Sequence, residues 1–273
     1  MFRRQMKADM NEMVEMALEG DRDAVTRLIR SVQDRVYALS LKMLYSTSDA
    51  EDAAQEILIK IITRLEGFRK ESSFQTWAMK IASNHLLSRR EKLARTAFTF
   101  ESCEEMIHRE IPDRSSSEFS QAEQGLLVNE MRVLCVQGLF QCLDRNHRVA
   151  YILSATMDVT GSEGAAILGI SAANFRKRVS RARIGIREFL VKNCELFEAS
   201  NPCKCGVQAV AAFKSGILKP GRLSDSSSPG QKLRELEILS REVALMRIHP
   251  DYAAPEALVE NIQSLLGPDF MKT

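Results

Sequence analysis

The sequence predicts an all-α protein, in which two helical domains are joined by a flexible linker and followed by a small helical C-terminal extension. Apolar residues recur at spacings of three and four through most of the 273 residues, which is the period of amphipathic helices. Alternating runs of β-branched residues, which would indicate strands, are almost absent. The seven prolines fall almost entirely in the last third of the chain, so little in the earlier part interrupts a helix.

The composition narrows the class of protein. The chain is 45% hydrophobic and 27% charged, as in soluble globular proteins. We find no run of about 18 uncharged apolar residues and no apolar segment of a secretory signal at the start, so we expect a cytoplasmic protein without a membrane partner. In that compartment the six cysteines are expected to be free thiols or metal ligands, not disulfides.

The first predicted domain covers residues 1–95. Its helices are expected at 10–18, 21–44, 49–65 and 74–94. The third helix has a clear start, because Ser48 and Glu51 have the spacing of a capping box. Gly67 is expected to end it.

The rest of the chain divides by composition. Residues 96–125 carry seven acids against two arginines, with a proline and a serine run, which predicts a flexible acidic linker. A second helical domain is expected over residues 126–192. The extension, residues 193–273, contains predicted helices at 207–215, 231–248 and 255–266.

The second domain contains a strongly basic helix. Between Phe175 and Arg187 there are six cations and no acid, although the whole chain has a net charge of only +2. Phe175, Val179, Ala182 and Ile186 form one apolar stripe, so the cations occupy the remaining surface. Such a helix suits a membrane surface, a partner protein or a nucleic-acid groove, and an isolated one is often simply solvated.

The residues before this helix favour nucleic acid. Thr160 and Glu163 form a second capping box, which opens a short helix, and Ser171 can cap the basic helix. The spacing of a helix-turn-helix is met by a small residue, a turn glycine and a locking aromatic: Ala165, Gly169 and Phe175. A helix built into a packed motif, without exposed tryptophan or leucine, is a poor membrane binder. We therefore expect the basic helix to enter the DNA major groove.

At this point a family resemblance is evident. LDRNHRVAYILSATMDVTGSEGAAILGISAANFRKRVSRARIGIREFL resembles region four of bacterial RNA polymerase sigma factors. TSDAEDAAQEILIKIITRLEGFR resembles the region-two helix that grips the polymerase clamp, and FQTWAMKIASNHLLSRREK resembles the adjoining promoter-melting helix. No other sigma region lies between the two, so the resemblance is to the two-domain, extracytoplasmic-function (ECF) type.

The resemblance implies three sets of binding residues. Contacts with core RNA polymerase are expected at Asp49, Glu51, Asp52, Gln55 and Glu56. Contacts with the −10 promoter element are expected at Trp77, Lys80, Asn84, His85, Ser88, Arg89 and Arg90. Contacts of the recognition helix with the −35 element are expected at Ser171, Ala173, Asn174, Arg176, Lys177, Arg178, Arg181 and Arg183.

Some of these residues also have purely structural interpretations. Asp49 and Glu51 stabilise a helix N-terminus by about 0.3–1 kcal/mol each, whether or not they bind polymerase. Trp77 is expected to anchor a core, and a stacking role on unpaired bases is the alternative. His85 alone would be an ordinary surface residue.

The chain departs from the family at three places in these motifs. Ser88 stands where family members usually carry Asp. Gly164 replaces a usual Ile, and Asn174-Phe175 replace a common Thr-Val pair. A glycine inside a helix costs about 1 kcal/mol and removes a core side chain, so promoter preference can differ from that of other members.

The extension begins with three cysteines, Cys194, Cys203 and Cys205, which suit Zn²⁺, a thiol switch or incidental structural roles. Cys-x-Cys is not the usual zinc clamp, and His249 is the best candidate for a fourth ligand. We expect no other cofactor. The extension is expected to regulate the protein by packing on one sigma domain.

The resulting expectation is a non-enzymatic ECF sigma factor. Its partners would be core RNA polymerase, at the β′ clamp and β flap, and promoter DNA, with an anti-sigma factor as a possible further partner. The alternative is an autonomous helix-turn-helix regulator, which would normally bind a palindrome as a dimer. A dithiol enzyme is disfavoured, because no nucleophile–base constellation accompanies the cysteines.

Overall fold

The computed structural model describes residues 2–89, 98–108, 119–218, 245–247 and 252–266. Within these ranges every regular element is a helix, which confirms the predicted all-α fold class. None of the described helices is long and apolar enough to cross a membrane. The α-helices, in chain order, are α1 (Phe2–Leu18), α2 (Arg22–Leu44), α3 (Thr47–Thr63), α4 (Phe74–Ser88), α5 (Phe100–His108), α6 (Gln121–Gln141), α7 (Arg145–Thr156), α8 (Gly161–Leu168), α9 (Ala172–Asn193), α10 (Cys205–Lys214) and α11 (Ala257–Leu266).

The chain forms two compact units that differ from the contiguous segments expected from sequence. The first contains residues 1–90, 159–176 and 251–273, and the second contains residues 91–158 and 177–250. The helices α1 to α4, α8, the start of α9 and α11 therefore belong to the first unit. The predicted functional division at residues 95, 125 and 192 stays a prediction.

The first unit is built around α2, α3 and α4, which pack against one another. Their apolar faces supply a core of side chains exposed by 2% or less, among them Leu28, Ile29, Leu39, Ile57, Leu58, Ile61 and Phe74. α2 begins at Asp21, whose carboxylate accepts the Asp23 and Ala24 amides at 2.8 and 3.0 Å. α8 packs against α4, and α11 packs against α2 and α3.

The start of α3 differs from the prediction. Ser46, not Ser48, is the N-cap, because its hydroxyl accepts the Asp49 amide at 3.3 Å. Gly67 does not end the α-helix itself. α3 stops at Thr63, and Gly67 closes a separate 3₁₀ turn, Leu65–Gly67.

The second unit packs α6 against α7 and α10. The turn between α6 and α7 is held by Arg148, whose buried guanidinium donates to Gln141 Oε1, to the Gln141 carbonyl and to the Leu143 carbonyl at 2.6, 3.0 and 3.0 Å. A small apolar cluster packs α10 against α6; its buried members are Leu127, Ala209, Ala212 and Leu218. The extension therefore supplies part of the core of this unit.

Two segments of the chain refine the sequence expectations. The acidic linker contains a helix, α5, that the composition did not predict. The extension forms α10 and α11 close to the expected positions. The helix predicted at 231–248 falls mostly outside the described residues.

Candidate nucleic-acid interface

The helix-turn-helix forms as its caps predict. Thr160 and Glu163 make both bonds of the capping box at the start of α8. Gly169 ends α8 in the left-handed conformation, with φ 63°, which glycine adopts without steric cost. Ser171 Oγ then accepts the Asn174 amide at 3.2 Å, so α9 begins with the predicted cap. The caps and the turn of this motif are therefore all formed by residues within a few positions of one another.

A close contact between Gly164 and Phe175 fixes α9 against α8. Phe175 is 2% exposed, and a Cβ placed on Gly164 would lie 2.2 Å from its ring atom Cζ. Real Cβ atoms do not approach other atoms so closely, so only glycine leaves room for the ring. The two departures from the family pattern therefore belong together, because the phenylalanine occupies the space that the missing side chain leaves.

The surface of α9 carries the predicted −35 residues. Its apolar stripe is buried at Phe175, Val179, Ala182 and Ile186, as the periodicity predicts. The exposed residues of the predicted set are Ser171, Ala173, Asn174, Arg176, Lys177, Arg181 and Arg183. Arg178 is half-buried. The helix thus presents a cationic surface to its surroundings.

The helix α4 carries four of the predicted −10 residues on one face. Lys80, Asn84 and Ser88 are exposed at four-residue intervals, and Trp77 precedes them by three residues on the same side. The Ser88 hydroxyl donates to the His85 carbonyl of its own helix at 3.0 Å. Trp77 is half-buried, with its ring 5.4 Å from that of Phe68 and 5.9 Å from that of Phe74. It therefore anchors an aromatic cluster while part of the indole remains exposed.

The N-terminal part of this α4 face lies beside α8. A cleft of ≈ 560 Å³ is lined by Trp77 and Lys80 on one side and by Ala165, Ala166 and Gly169 on the other. In this conformation the first helix of the helix-turn-helix adjoins the predicted −10 surface. The sequence carried no signal for this contact, because the two segments lie about 80 residues apart.

The other predicted −10 residues point toward α3. His85 is buried, at 8% exposure, and is not the surface residue that its sequence context suggested. Its Nδ1 lies 2.6 Å from Lys60 Nζ and its Nε2 lies 3.5 Å from Glu56 Oε2. Arg89 donates to the Asp49 carbonyl at 3.0 Å and lies 3.6 Å from its carboxylate. Arg90 lies outside the described residues.

The predicted polymerase-binding face of α3 is accessible. Its exposed members are Asp49, Glu51, Asp52 and Glu56, and Gln55 is half-buried. Ala53, Ala54 and Ile57 turn inward, away from this face. The structure thus brings two predicted sets together, because Glu56 and Asp49 meet the α4 residues His85 and Arg89.

Burial makes the stability of the first unit sensitive to pH through His85. Desolvation, and then the Lys60 ammonium, lower the pKa of His85 below its ordinary value of 6.5. Glu56 raises this pKa and Arg89 lowers it, but both effects are smaller. The unfolded chain therefore binds the proton more readily. We expect the contribution of His85 to the free energy of unfolding to be constant above about pH 6.5 and to fall as the pH drops below it. Urea titrations at about pH 7.5 and about pH 5.5 would show this.

The matched variant for this prediction is His85→Gln, which cannot titrate. Its free energy of unfolding should change less between the two pH values than that of the parent chain. An equal loss in both proteins would assign the acid sensitivity to other groups.

The three cysteines of the extension lie near one another. Cys194 and Cys203 form a parallel backbone bridge, in which the Cys203 amide donates to the Asn193 carbonyl at 3.0 Å. Burial, followed by neighbouring thiols, raises the pKa of Cys203 to about 12 and that of Cys205 to about 11, and burial also raises the pKa of Cys194. A fourth thiol that the sequence did not indicate, Cys135 of α6, is near enough for these three to raise its pKa further.

This arrangement does not favour the zinc hypothesis. Among the described residues, no group of three or more His, Cys, Asp or Glu side chains is arranged to hold a metal ion. His249, the expected fourth ligand, lies outside the described ranges. Cys194, Cys203 and Cys205 instead help to close the loop that follows α9.

Known proteins resemble this chain over one third to two thirds of its length. The RNA polymerase sigma-H factor of Pseudomonas aeruginosa is 27% identical over 183 residues, which are 66% of this chain and 92% of that protein. The ECF RNA polymerase sigma-E factor of Escherichia coli K12 is 28% identical over 176 residues, which are 64% and 90% of the two chains. The ECF sigma factor SigW of Bacillus subtilis is 30% identical over 87 residues, which are 32% of this chain and 46% of that protein.

A solved structure is also similar. The sigma factor RpoE of Bartonella quintana, in complex with the anti-sigma factor NepR, aligns with 59% of this chain and 93% of its own at 20% identity and a TM-score of 0.41.

The described helix-turn-helix, with its exposed cationic second helix, has the arrangement of a DNA-binding motif. Residues 28–96, which span most of α2 and all of α3 and α4, match the Sigma-70 region 2 family. The chain thus contains a Sigma-70 region 2 segment and is similar, over about two thirds of its length, to RNA polymerase sigma factors that include members of the ECF type.

Proposed function

We propose that this chain is a sigma factor that binds core RNA polymerase through the acidic face of α3 and directs it to promoters that α9 and α4 select. The observation that carries the proposal is the exposed cationic surface of α9 on a helix-turn-helix whose caps and turn are all satisfied. Cations near the start of such a helix reach base edges and phosphates in the major groove. No step of this role requires covalent chemistry, so we propose a binding function and no catalysis.

The binding partner assigned to each of α3, α4 and α9 follows from the chemistry of its exposed residues. Exposed carboxylates at the start of α3 suit a basic partner surface, which we assign to the polymerase β′ clamp. Exposed polar residues along α4 suit the −10 element, and the cations of α9 suit the −35 duplex. The β flap and an anti-sigma factor stay predicted partners, for which the described surfaces supply no specific contact.

The described conformation is proposed to be that of the protein before it binds a promoter. α8 adjoins the Trp77 and Lys80 end of the α4 face, so the −10 strand and α8 would compete for this surface. We propose that binding to polymerase separates α8 from α4. The helix-turn-helix then becomes free to occupy the −35 element.

The end of the extension is proposed to restrain the polymerase-binding surface. α11 packs on α2 and α3, and the Ala254 amide donates to Asp34 Oδ1 of α2 at 2.9 Å. Tyr252 lies close enough to Tyr37 for the two phenols to interact, and Tyr37 in turn lies near Glu51 of the acidic face. The extension thus reaches the edge of the surface that we assign to polymerase.

Run-off transcription with purified protein, core RNA polymerase and promoter fragments tests this function. We expect promoter-specific transcripts that require both proteins. Arg176→Ala with Lys177→Ala should reduce transcription from a promoter with a −35 element by roughly tenfold or more, because each lost phosphate or base contact costs about 1 kcal/mol or more. Duplex binding without polymerase, together with no transcript, would instead indicate an autonomous regulator.

A matched control removes the same charge elsewhere. Arg27 and Arg30 are exposed on α2, so Arg27→Ala with Arg30→Ala also lowers the net charge by two. This control should transcribe within about twofold of the parent chain. If the α2 and α9 variants lose activity equally, total charge explains the effect and the assignment of α9 to the −35 element is wrong.

A further inference from the structure

We propose that Cys103 and Cys142 form a peroxide-sensitive thiol pair, whose oxidation links α5 of the acidic linker to the C-terminal end of α6. The two Sγ atoms lie 3.5 Å apart. Both side chains are half-buried free thiols, so a small oxidant can reach them. Neither residue belongs to the cysteine group of the extension or to the proposed binding surfaces.

The distance favours disulfide formation with little movement. An S–S bond is about 2.05 Å long, so the sulfur atoms need to approach by about 1.5 Å. Cys142 is the C-cap residue of α6, and its thiol also donates to the Gly138 carbonyl at 3.4 Å. The Cys142 sulfur is therefore held at a defined place beside α5.

The position of Cys103 is fixed by contacts between α5 and α9. The rings of Phe100 and Phe189 lie 5.6 Å apart, and the Glu104 carboxylate pairs with Lys192 Nζ at 2.6 Å. A Cβ on Gly185 would lie 3.3 Å from the Phe100 ring, so this glycine permits the close approach. Phe100 lies three residues before Cys103 and Glu104 lies one residue after it. Their contacts with α9 therefore turn the Cys103 side chain toward α6.

The two thiols have different chemical roles. The hydrogen bond with Cys142 lowers the pKa of Cys103 against the opposing effect of burial, whereas the same bond and burial raise the pKa of Cys142. Cys103 is therefore the thiol that ionises first, and the thiolate is the nucleophile in thiol oxidation. Cys142 is placed to resolve the product.

The proposed reaction uses hydrogen peroxide as the oxidant. The Cys103 thiolate attacks one peroxide oxygen, the O–O bond breaks, and the released hydroxide takes a proton to become water. Cys103 is then a sulfenic acid. Cys142, after losing its proton, attacks the Cys103 sulfur, the S–O bond breaks, and the hydroxyl group leaves as a second water. Two thiols are oxidised by two electrons, and one peroxide is reduced to two waters.

The remaining thiols are less suited to this reaction. Burial raises the pKa of Cys135, Cys194, Cys203 and Cys205 above that of an ordinary thiol. A higher pKa leaves less thiolate at neutral pH. Cys103 and Cys142, which the sequence analysis did not single out, are thus the two cysteines whose geometry best suits oxidation.

The disulfide would tie α5 of the linker covalently to the end of α6, within the second unit. Resting on the proposed function, we expect this covalent tie to reduce transcription, because a linker held on α6 cannot change its path when polymerase binds. The chemical event itself does not depend on that function, so the two can be measured separately.

Peptide mapping of the full-length protein tests the thiol pair. The protein is treated with limiting hydrogen peroxide, free thiols are alkylated, and cross-linked peptides are identified by mass spectrometry. We expect Cys103–Cys142 to be the first disulfide formed. Cys142→Ser should accumulate a Cys103 sulfenic acid that dimedone traps, and Cys103→Ser should slow oxidation of Cys142 by about tenfold or more. Cys135→Ser is the control and should form the disulfide at the parent rate.

Three results would overturn the proposal. One is a first disulfide that involves Cys194, Cys203 or Cys205. Another is an unchanged oxidation rate of Cys142 in the Cys103→Ser protein. The third is oxidation of Cys135 at the rate of Cys103. Circular dichroism of Cys103→Ser and Cys103→Ala, with helix content equal to the parent, excludes unfolding as the cause of slower oxidation.

Transcription assays separate the chemistry from its consequence. With reductant, the parent and Cys103→Ser proteins should give equal transcript, and after peroxide only the parent should lose it. A parent that gives no transcript with reductant would contradict the proposed function. Equal transcript from the cross-linked and reduced parent proteins would contradict the regulatory consequence.

Discussion

Replacing Gly164 with isoleucine should destabilise the helix-turn-helix strongly, unless Phe175 is shortened at the same time. The added Cβ alone would lie 2.2 Å from the Phe175 ring, so the ring or α8 must move. Overpacking of this kind costs about 1–3 kcal/mol. Phe175→Val alone empties part of a fully buried site and should cost about 2–4 kcal/mol. In the double variant, isoleucine can fill the space that the smaller valine leaves.

The double variant therefore tests whether the two residues are coupled. We expect its loss of stability to be smaller than the sum of the single losses by about 1–3 kcal/mol. Urea denaturation, together with hydrogen exchange of peptides covering residues 159–176, would locate the effect. DNA binding should follow the same order, because α9 is positioned by this contact.

A second glycine serves as the control for this series. A Cβ on Gly138, within α6, would meet no atom within 4 Å. Gly138→Ala should therefore be neutral or stabilising by up to about 1 kcal/mol. Strictly additive losses in the Gly164 and Phe175 series, or an isoleucine variant as stable as the parent, would show that the contact does not determine the packing.

Local features of this fold were predictable because their causes are local. The capping box at Thr160, the left-handed turn at Gly169 and the cap at Ser171 each depend on residues within a few positions, and each is confirmed. The buried stripe of α9 was readable for the same reason, since the helical period places its members on one side. The start of α3 was misplaced because Ser46, Thr47 and Ser48 can all cap a helix, and sequence alone does not rank them.

Long-range contacts carried no such signal. The sequence predicted that Phe175 locks the motif, but it did not show that the ring occupies the space left by the missing side chain of Gly164. The linker helix α5 was missed because its acidic composition indicates a flexible segment, while its packing depends on Phe189 and Lys192 of a distant helix. The burial of His85 depends likewise on Lys60 of another helix. The proximity of Cys103 and Cys142 also depends on tertiary packing.

The packing of the extension is another long-range feature that the sequence does not reveal. The sequence suggested a regulatory role, and deletion of residues 200–273 would be the simplest test of that role. That deletion would also remove α10, which contributes Ala209 and Ala212 to the core cluster on α6. Loss of activity after such a deletion would therefore reflect damage to the second unit. A sharper change must release α11 and leave α10 in place.

Ile262→Asp makes this change and should increase the affinity for core polymerase by about tenfold. Ile262 is fully buried in the first unit, so an aspartate there would leave an unpaired charge in an apolar site. Release of α11 costs the rest of the unit little if α1 to α4 supply the main core. If α11 holds most molecules in a closed form, the apparent affinity for polymerase is lower than that of the open form by the closed-to-open ratio. Release of α11 restores the affinity of the open form.

The matched control is Asn261→Asp, which adds the same charge at an exposed position of the same helix. It should bind polymerase like the parent chain. Titration of labelled polymerase measures the affinities, and hydrogen exchange in α2 and α3 reports whether α11 has left. If exchange shows that α11 is released while the affinity stays equal to that of Asn261→Asp, the helix stabilises the first unit but does not regulate it. If affinity falls, α11 belongs to the polymerase-binding surface and does not compete with polymerase for it.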